Sequence, residues 1–399
     1  MVKTMDELLY LLLSFGIIIG FIRLKVDIGI SIFLGSLLLG VLSGLGPKDL
    51  LISFYLSSTE WSTLRLILIV ASIMALTGVI SQIGYLKMME KAAEKLFPNE
   101  KYSLAALPAL IGLMPMPAGA LVSAPMIESI ADKLNISPEK KTIINYWFRH
   151  IWEHSWPMYQ AIIIASVILS ISVKEFISKM FPLTVFMALL GYLFFLRPIK
   201  SREDEKGNIK EGLKLFLKST YPIIVIVFIS IVLGYDMVYG AFIGFLSALI
   251  PHFRKINKKE VLKHALQPKI VFLLLSVMYF KKLLEVTGAV EALPKIILEL
   301  NLSIMAVIIL TPFLVGLMTG ISFAYVGVTF PLLAPFFTSF DKIALAYLSG
   351  YMGMLFSPVH LCLVFSAEYY KADLGKVYKT MLIPGFVLFI LGALYISFL

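Results

Sequence analysis

The chain has a single cysteine, Cys362, among 399 residues. That excludes an intrachain disulfide and any cluster of thiolates. Charge is scarce too: 15% of residues are Asp, Glu, Lys or Arg, against about 25% in a soluble domain. No phosphate-cradling glycine loop precedes a Lys-Ser/Thr pair, which argues against an ATP-driven engine. A nucleophile elbow is missing as well. Strict alternation of apolar and polar residues is absent, so a membrane barrel is not indicated. Residues 1–7 mix acid and base, and no small-residue cleavage site follows the first span, so no cleaved leader is expected.

Apolar length is what the chain has in abundance. Hydrophobic residues make up 59% of it, and windows such as 66–83 and 302–335 are nearly free of charge. Such runs are long enough to cross a hydrocarbon core of about 30 Å. The fold class expected is an all-α polytopic membrane protein. The net charge of +10 is then read as basic loops facing the cytoplasm, not as a nucleic-acid footprint.

Two stretches about 200 residues apart are nearly the same. Residues 108–114 (PALIGLM) align with 312–318 (PFLVGLM) at five of seven positions. Each runs into a helix-breaking cluster, 115–119 (PMPAG) and 319–322 (TGIS). Other landmarks keep step: Asp27 and Gly35 with Asp236 and Gly244, Gly84 with Gly288, and Tyr146, Pro157 and Gly191 with Tyr347, Pro358 and Gly392. The expected layout is two repeats, 1–197 and 219–399, joined by a charged linker at 198–218. Each repeat has five crossings and one re-entrant hairpin. The hairpins fall at about 103–131 and 302–337, and the broken helices at about 139–172 and 341–370. Five crossings per repeat is odd, so the second copy is inverted. Charge agrees. With both termini outside and the linker cytoplasmic, twenty-five of the 35 Lys and Arg face the cytoplasm and nine face out, as the positive-inside rule asks. Amphipathic stretches at 85–97 and 288–300 follow the third span of each repeat.

Unwound backbone at membrane depth is tolerated only inside protein or beside a watery cavity. Four such places are expected: the tips at Pro115, Pro117 and Gly119 and at Thr319, Gly320 and Ser322, and the breaks at Ser155–Pro157 and Ser357–Pro358. Half-helix N-termini meeting there would offer N–H groups to an anion. Paired, interrupted segments of this kind mark a transporter's binding site. The segment 145–157 (NYWFRHIWEHSWP) adds ionisable residues within a span, where they are costly and usually functional. Arg149 and Glu153 are spaced to pair on one helical face with Asn145. They are read as substrate or proton sites, or alternatively as a structural pair. His150 belongs to the same cluster, and His360 is a candidate proton carrier just past the second break. His150, Glu153 and His154 also fit H-x-x-E-H. With no third ligand at a defined spacing, metal ligands are not expected.

On the run 108–156, with PMPAGALVSAPMI and NYWFRHIWEHSWP, the chain resembles the ion transporter superfamily. That superfamily includes divalent-anion/sodium symporters and citrate, gluconate and arsenite permeases. The resemblance is strongest to a prokaryotic membrane family of undefined function within it. It implies inverted repeats, paired hairpins, broken helices, a homodimer and elevator-type motion. It also implies substrate and cation sites at the tips and breaks named above. Sodium-dicarboxylate members carry Ser-Asn-Thr at these tips, and here the first tip has neither hydroxyl nor amide.

The expectation is therefore a secondary transporter in the cytoplasmic membrane, not an enzyme. It would move a small anionic solute coupled to protons or sodium. No cofactor is expected beyond a bound Na+ or a transported proton. Its partners would be the lipid bilayer, the solute and a second copy of the chain, and no nucleic acid. Two other readings stand beside it: a cation/proton antiporter, and a zinc-dependent membrane hydrolase using His150, Glu153 and His154.

Overall fold

A charge-poor chain in hydrocarbon must satisfy its backbone locally, and the helix does so within one segment. The computed structural model describes residues 2–114, 119–200, 207–289, 293–294 and 302–399. It is all-helical, with no strand among the described residues. Four helices are long and apolar enough to cross a bilayer: Trp61–Gln82, Val173–Leu196, Ile209–Val232 and Leu374–Ile396. Shorter apolar helices include Ile28–Leu42, Met237–His252, Ile304–Thr319 and Leu361–Tyr370. Helices of this length and composition mark a membrane protein.

Some boundaries differ from expectation. Ile209–Val227 begins inside the stretch expected as a linker, started by the Asn208 side chain, which accepts from Glu211 N–H. Two further helices, Pro47–Thr59 and Lys258–Ala265, lie where loops were expected. The tip residues Pro115 and Pro117, and most of the amphipathic stretch 288–300, lie outside the described residues.

The interruptions form four structural units. A first helix pair consists of Glu100–Gly112 and Ala120–Lys133, and a second of Ile304–Thr319 and Ser322–Leu333. The first interrupted helix runs Pro138–Arg149, then a 3-10 turn Ile151–His154, then Gln160–Leu169. The second runs Phe340–Leu355 and resumes at Leu361–Tyr370. The four interlock. Leu361–Tyr370 packs on Ala120–Lys133, and Gln160–Leu169 packs on Ser322–Leu333.

Local geometry recurs at matching places. Asp27 and Asp236 each cap the helix that follows, with nearly the same backbone angles (φ −54°, ψ 138° and φ −55°, ψ 141°). A Cβ at Gly35 would overlap Ile18 of the preceding helix, and one at Gly244 would overlap Ile226. A Cβ at Gly112 would overlap the Arg149 carbonyl, and one at Gly316 would overlap the Gly350 carbonyl. Each first arm of a helix pair thus lies directly on the backbone of the interrupted helix beside it. Crossings this close are what small residues allow between apolar helices.

Candidate functional site

The first interrupted helix loses its α register at His150, whose φ of −100° and ψ of 3° lead into the 3-10 turn. A 3-10 turn has three residues per turn and so aligns i with i+3. Glu153 accordingly lies beside His150, with 3.8 Å between Oε1 and Nε2. The one-turn pairing of Arg149 with Glu153 is not formed, because the α spacing that pairing needs ends between them.

His150 is fully buried. Its Nδ1 lies 2.5 Å from the Tyr146 carbonyl, which can only accept, so Nδ1 carries the proton. Nε2 then presents a lone pair, and His360 Nε2 is 3.1 Å from it. A neutral His360 donating across this gap satisfies the His150 ring and leaves His360 Nδ1 without a hydrogen-bond partner among the described residues. The two histidines come from the two interrupted helices, 210 residues apart in the chain.

Arg149 closes the group. Its Nη1 is 3.5 Å from Cys362 Sγ, and a Cβ at Gly119 would overlap its guanidinium. Gly119, with no side chain, therefore seats directly on the arginine. The site is dry: Arg149 is 4% exposed, Glu153 5%, His360 6% and Cys362 8%. Glu153 Oε2 finds no hydrogen-bond partner among the described residues.

Asn145 stands one helical turn before Arg149. Its amide donates to Ser366 Oγ at 2.9 Å and to the Ala120 carbonyl at 3.3 Å. It thereby joins the first helix pair to the second interrupted helix. Gly320, with φ +65°, occupies the left-handed region that glycine favours. A Cβ there would come within 2.8 Å of the His360 backbone. Ser357 is fully buried and its Oγ accepts from Val359 N–H at 3.3 Å. Thr319 Oγ1 bonds back to the Val315 carbonyl at 2.7 Å. Ser322 opens the second arm of the second pair. Ser155 turns elsewhere, sharing a 2.7 Å hydrogen bond with Thr184.

His154 does not join the ionisable group. Its ring lies against Tyr351, 4.1 Å between centroids, and its nitrogens find no hydrogen-bond partner among the described residues. The donors gathered within 4.8 Å are His150, His360 and Cys362, not His150, Glu153 and His154. Cys362 was missed by sequence reasoning. The available signal was its place two residues after His360 in the second break.

The breaks are braced by aromatic donors. Trp152 and Trp156 Nε1 each donate at 2.9 Å, to the carbonyls of Ala109 and Leu113, and Tyr159 Oη donates to Gly112 at 2.8 Å. These carbonyls end the first arm of the first pair, where the helix cannot satisfy them itself. The opposite polarity is left open. At Gly119, Tyr159, Ile321 and His360, the residues preceding the four helices that start at the interruptions, no side chain caps the helix. Elsewhere the starts are mixed: Asp27, Asn99, Ser137, Ser172, Asn208, Asp236, Asn257, Ser303 and Asp373 provide side-chain caps, while Glu60, Gly84, Gln267 and Ser339 do not. Uncapped N-termini carry free N–H groups and the positive end of the helix dipole.

Residues 7–399 match the family described as Protein of unknown function (DUF401), and the chain belongs to that family. No curated protein matches it.

Proposed function

We propose that this family member is a secondary transporter carrying a small anion through alternating access, with proton coupling. The observation that carries the reading is the buried Arg149, packed against Gly119 at one uncapped helix start and 3.5 Å from Cys362 in the first turn of another. Free N–H groups and a guanidinium together make a seat for an anion. Ionisable residues within a span are costly and usually functional.

The paired local geometry supports two inverted repeats in the ion transporter superfamily plan, with five crossings and one re-entrant hairpin in each. Under that plan residues 1–197 and 219–399 are the repeats, and both helix pairs are hairpins. The cytoplasmic membrane, a homodimer and elevator-type motion belong to the same reading. Proton coupling rests on the His150–His360 contact and on Glu153 beside it. Each of these groups can take up a proton, and each sits where the two halves meet.

Counterflow in proteoliposomes tests this. Protein would be reconstituted with trapped, unlabelled monocarboxylate, dicarboxylate, phosphate or sulfate, and entry of the labelled anion followed. Saturable counterflow of one class, accelerated by an inward proton gradient, is expected. Absence of counterflow for all four classes would remove the anion reading. The same histidine pair favours cation/proton antiport as the second reading. That activity would appear as a cation-driven pH change inside vesicles holding no organic anion.

A further inference from the structure

We propose that His150 Nε2, His360 Nε2 and Cys362 Sγ bind one divalent ion of the zinc class, with the Glu153 carboxylate beside them as its counter-charge. The three donor atoms lie within 4.8 Å of one another and all three residues are buried. In a tetrahedral zinc site, Zn–N bonds of about 2.0–2.1 Å place two nitrogens about 3.3 Å apart. The observed 3.1 Å between the imidazole nitrogens needs an opening of only a few tenths of an ångström. The sulfur lies within 4.8 Å of both nitrogens.

The second sphere is already in place. A ligating histidine ordinarily donates its other ring N–H to a carbonyl, which fixes tautomer and orientation. His150 does so through Nδ1 to Tyr146. Glu153 supplies an independent sign. Its carboxylate is 5% exposed, its Oε1 faces His150 Nε2 at 3.8 Å, and its Oε2 has no hydrogen-bond partner among the described residues. A buried oxygen in that position is suited to a cation beside the histidine. Nitrogen and sulfur donors select a borderline or soft metal over Na+ or Mg2+, which take oxygen ligands.

The binding step balances. The ion replaces the thiol proton of Cys362, which leaves to solvent, and the His360 proton moves from Nε2 to Nδ1. Thiolate and carboxylate then offset the ion's two charges. Arg149 Nη1 lies 3.5 Å from the sulfur and donates to it. Because His150 belongs to one interrupted helix and His360 and Cys362 to the other, a bound ion ties the two breaks together. The ion takes the groups on which proton coupling rests, so ion and coupling proton bind in alternation, whatever solute is transported.

The test uses purified, tag-free, full-length protein in detergent, titrated with Co2+. One ion per chain is expected, showing tetrahedral visible bands and a thiolate-to-cobalt charge-transfer band, both abolished by added Zn2+. Cys362→Ser should lose the charge-transfer band while keeping the size-exclusion profile, and His360→Ala should weaken binding at least tenfold. A measurement free of mutants uses Cys362 as the chain's one thiol: Zn2+ should slow its alkylation by a maleimide at least tenfold. Absence of a cobalt spectrum, a charge-transfer band that survives Cys362→Ser, or equal alkylation rates with and without Zn2+ would overturn the proposal. Each readout is independent of counterflow, so this site and the transport reading can fail separately.

Discussion

Tyr146 and Tyr347 each hold the other's interrupted helix. Tyr146 Oη donates to the Leu355 carbonyl at 3.0 Å, and Tyr347 Oη donates to the Glu153 carbonyl at 2.8 Å. Both carbonyls lie where an α-helix has stopped and can no longer provide an i+4 donor. The two tyrosines are 201 residues apart, as are Pro157 and Pro358 in the breaks themselves. One arrangement therefore occurs twice, each copy completed by a side chain from the other.

The pair makes a direct prediction. Tyr146→Phe and Tyr347→Phe each leave a buried carbonyl unsatisfied, at a cost of about 1–3 kcal/mol. Both variants should lose thermal stability in detergent by similar amounts. A shift in one with none in the other would show that the two carbonyls are not equivalent.

Gly119 offers a test of the arginine's placement that leaves the arginine intact. A Cβ at this position would meet the guanidinium, so Gly119→Ala must displace Arg149 or the tip. Anion counterflow should fall at least tenfold in Gly119→Ala and in Arg149→Ala, with both proteins still monodisperse. Arg149→Lys should not rescue uptake, because an ammonium lacks the planar fork of donors. Normal uptake by Arg149→Ala would take the arginine out of the substrate site.

At the second tip Gly320→Ala meets two obstacles, the left-handed backbone and the His360 main chain. The first alone costs about 1–2 kcal/mol for a residue with a side chain. Gly20→Ala serves as the control, since a Cβ there would meet nothing within 4 Å. A marked loss of melting temperature in Gly320→Ala only is the expected outcome.

Composition made the helical membrane class legible, because a chain with so little charge and such long apolar runs has few alternatives. The interruptions were legible from Pro and Gly, as at Ser357–Pro358 and at Gly320. The helices Pro47–Thr59 and Lys258–Ala265 went unread, although Asp49 and Asn257 give ordinary start signals. Short helices with mixed charge do not stand out against apolar spans. The site was half legible. Asn145, Arg149, His150 and Glu153 stood out as polar residues in an apolar span. Their partners did not, since the contacts to His360 and Cys362 close over more than 200 residues. The Arg149–Glu153 pairing failed because one sequence does not say where an α-helix tightens to 3-10.

The caps Asp27 and Asp236 should differ by one interaction. Both accept hydrogen bonds from the helix they start, and losing such a cap costs about 1 kcal/mol. Asp236 also pairs with Arg65 at 2.8 Å, both side chains being partly exposed, which adds about 0–1 kcal/mol. Asp236→Ala should therefore destabilise more than Asp27→Ala. The difference between them should shrink at high salt as the pair is screened, and a difference unchanged by salt would assign it to something other than Arg65.

Sidedness can be read with single cysteines placed in a Cys362→Ser background. Under the proposed topology 85–101, the linker and 251–269 face the cytoplasm, and described residues of these segments make contact. Lys95 pairs with Glu211, and the Gln82 side chain accepts from Asn257 N–H. Another set of loops gathers elsewhere: Ser170, Ile171 and Glu175 line one pocket with Thr338, Ser339 and Phe340. Cysteines at Asn208 and Lys258 should resist a membrane-impermeant maleimide in intact cells and react in inverted vesicles. Cysteines at Ser172 and Ser339 should react in intact cells. The four positions sample both repeats, so labelling of Ser172 and Ser339 from opposite sides would break the inverted topology at its root, because 139–172 and 341–370 would then not be counterparts across the membrane.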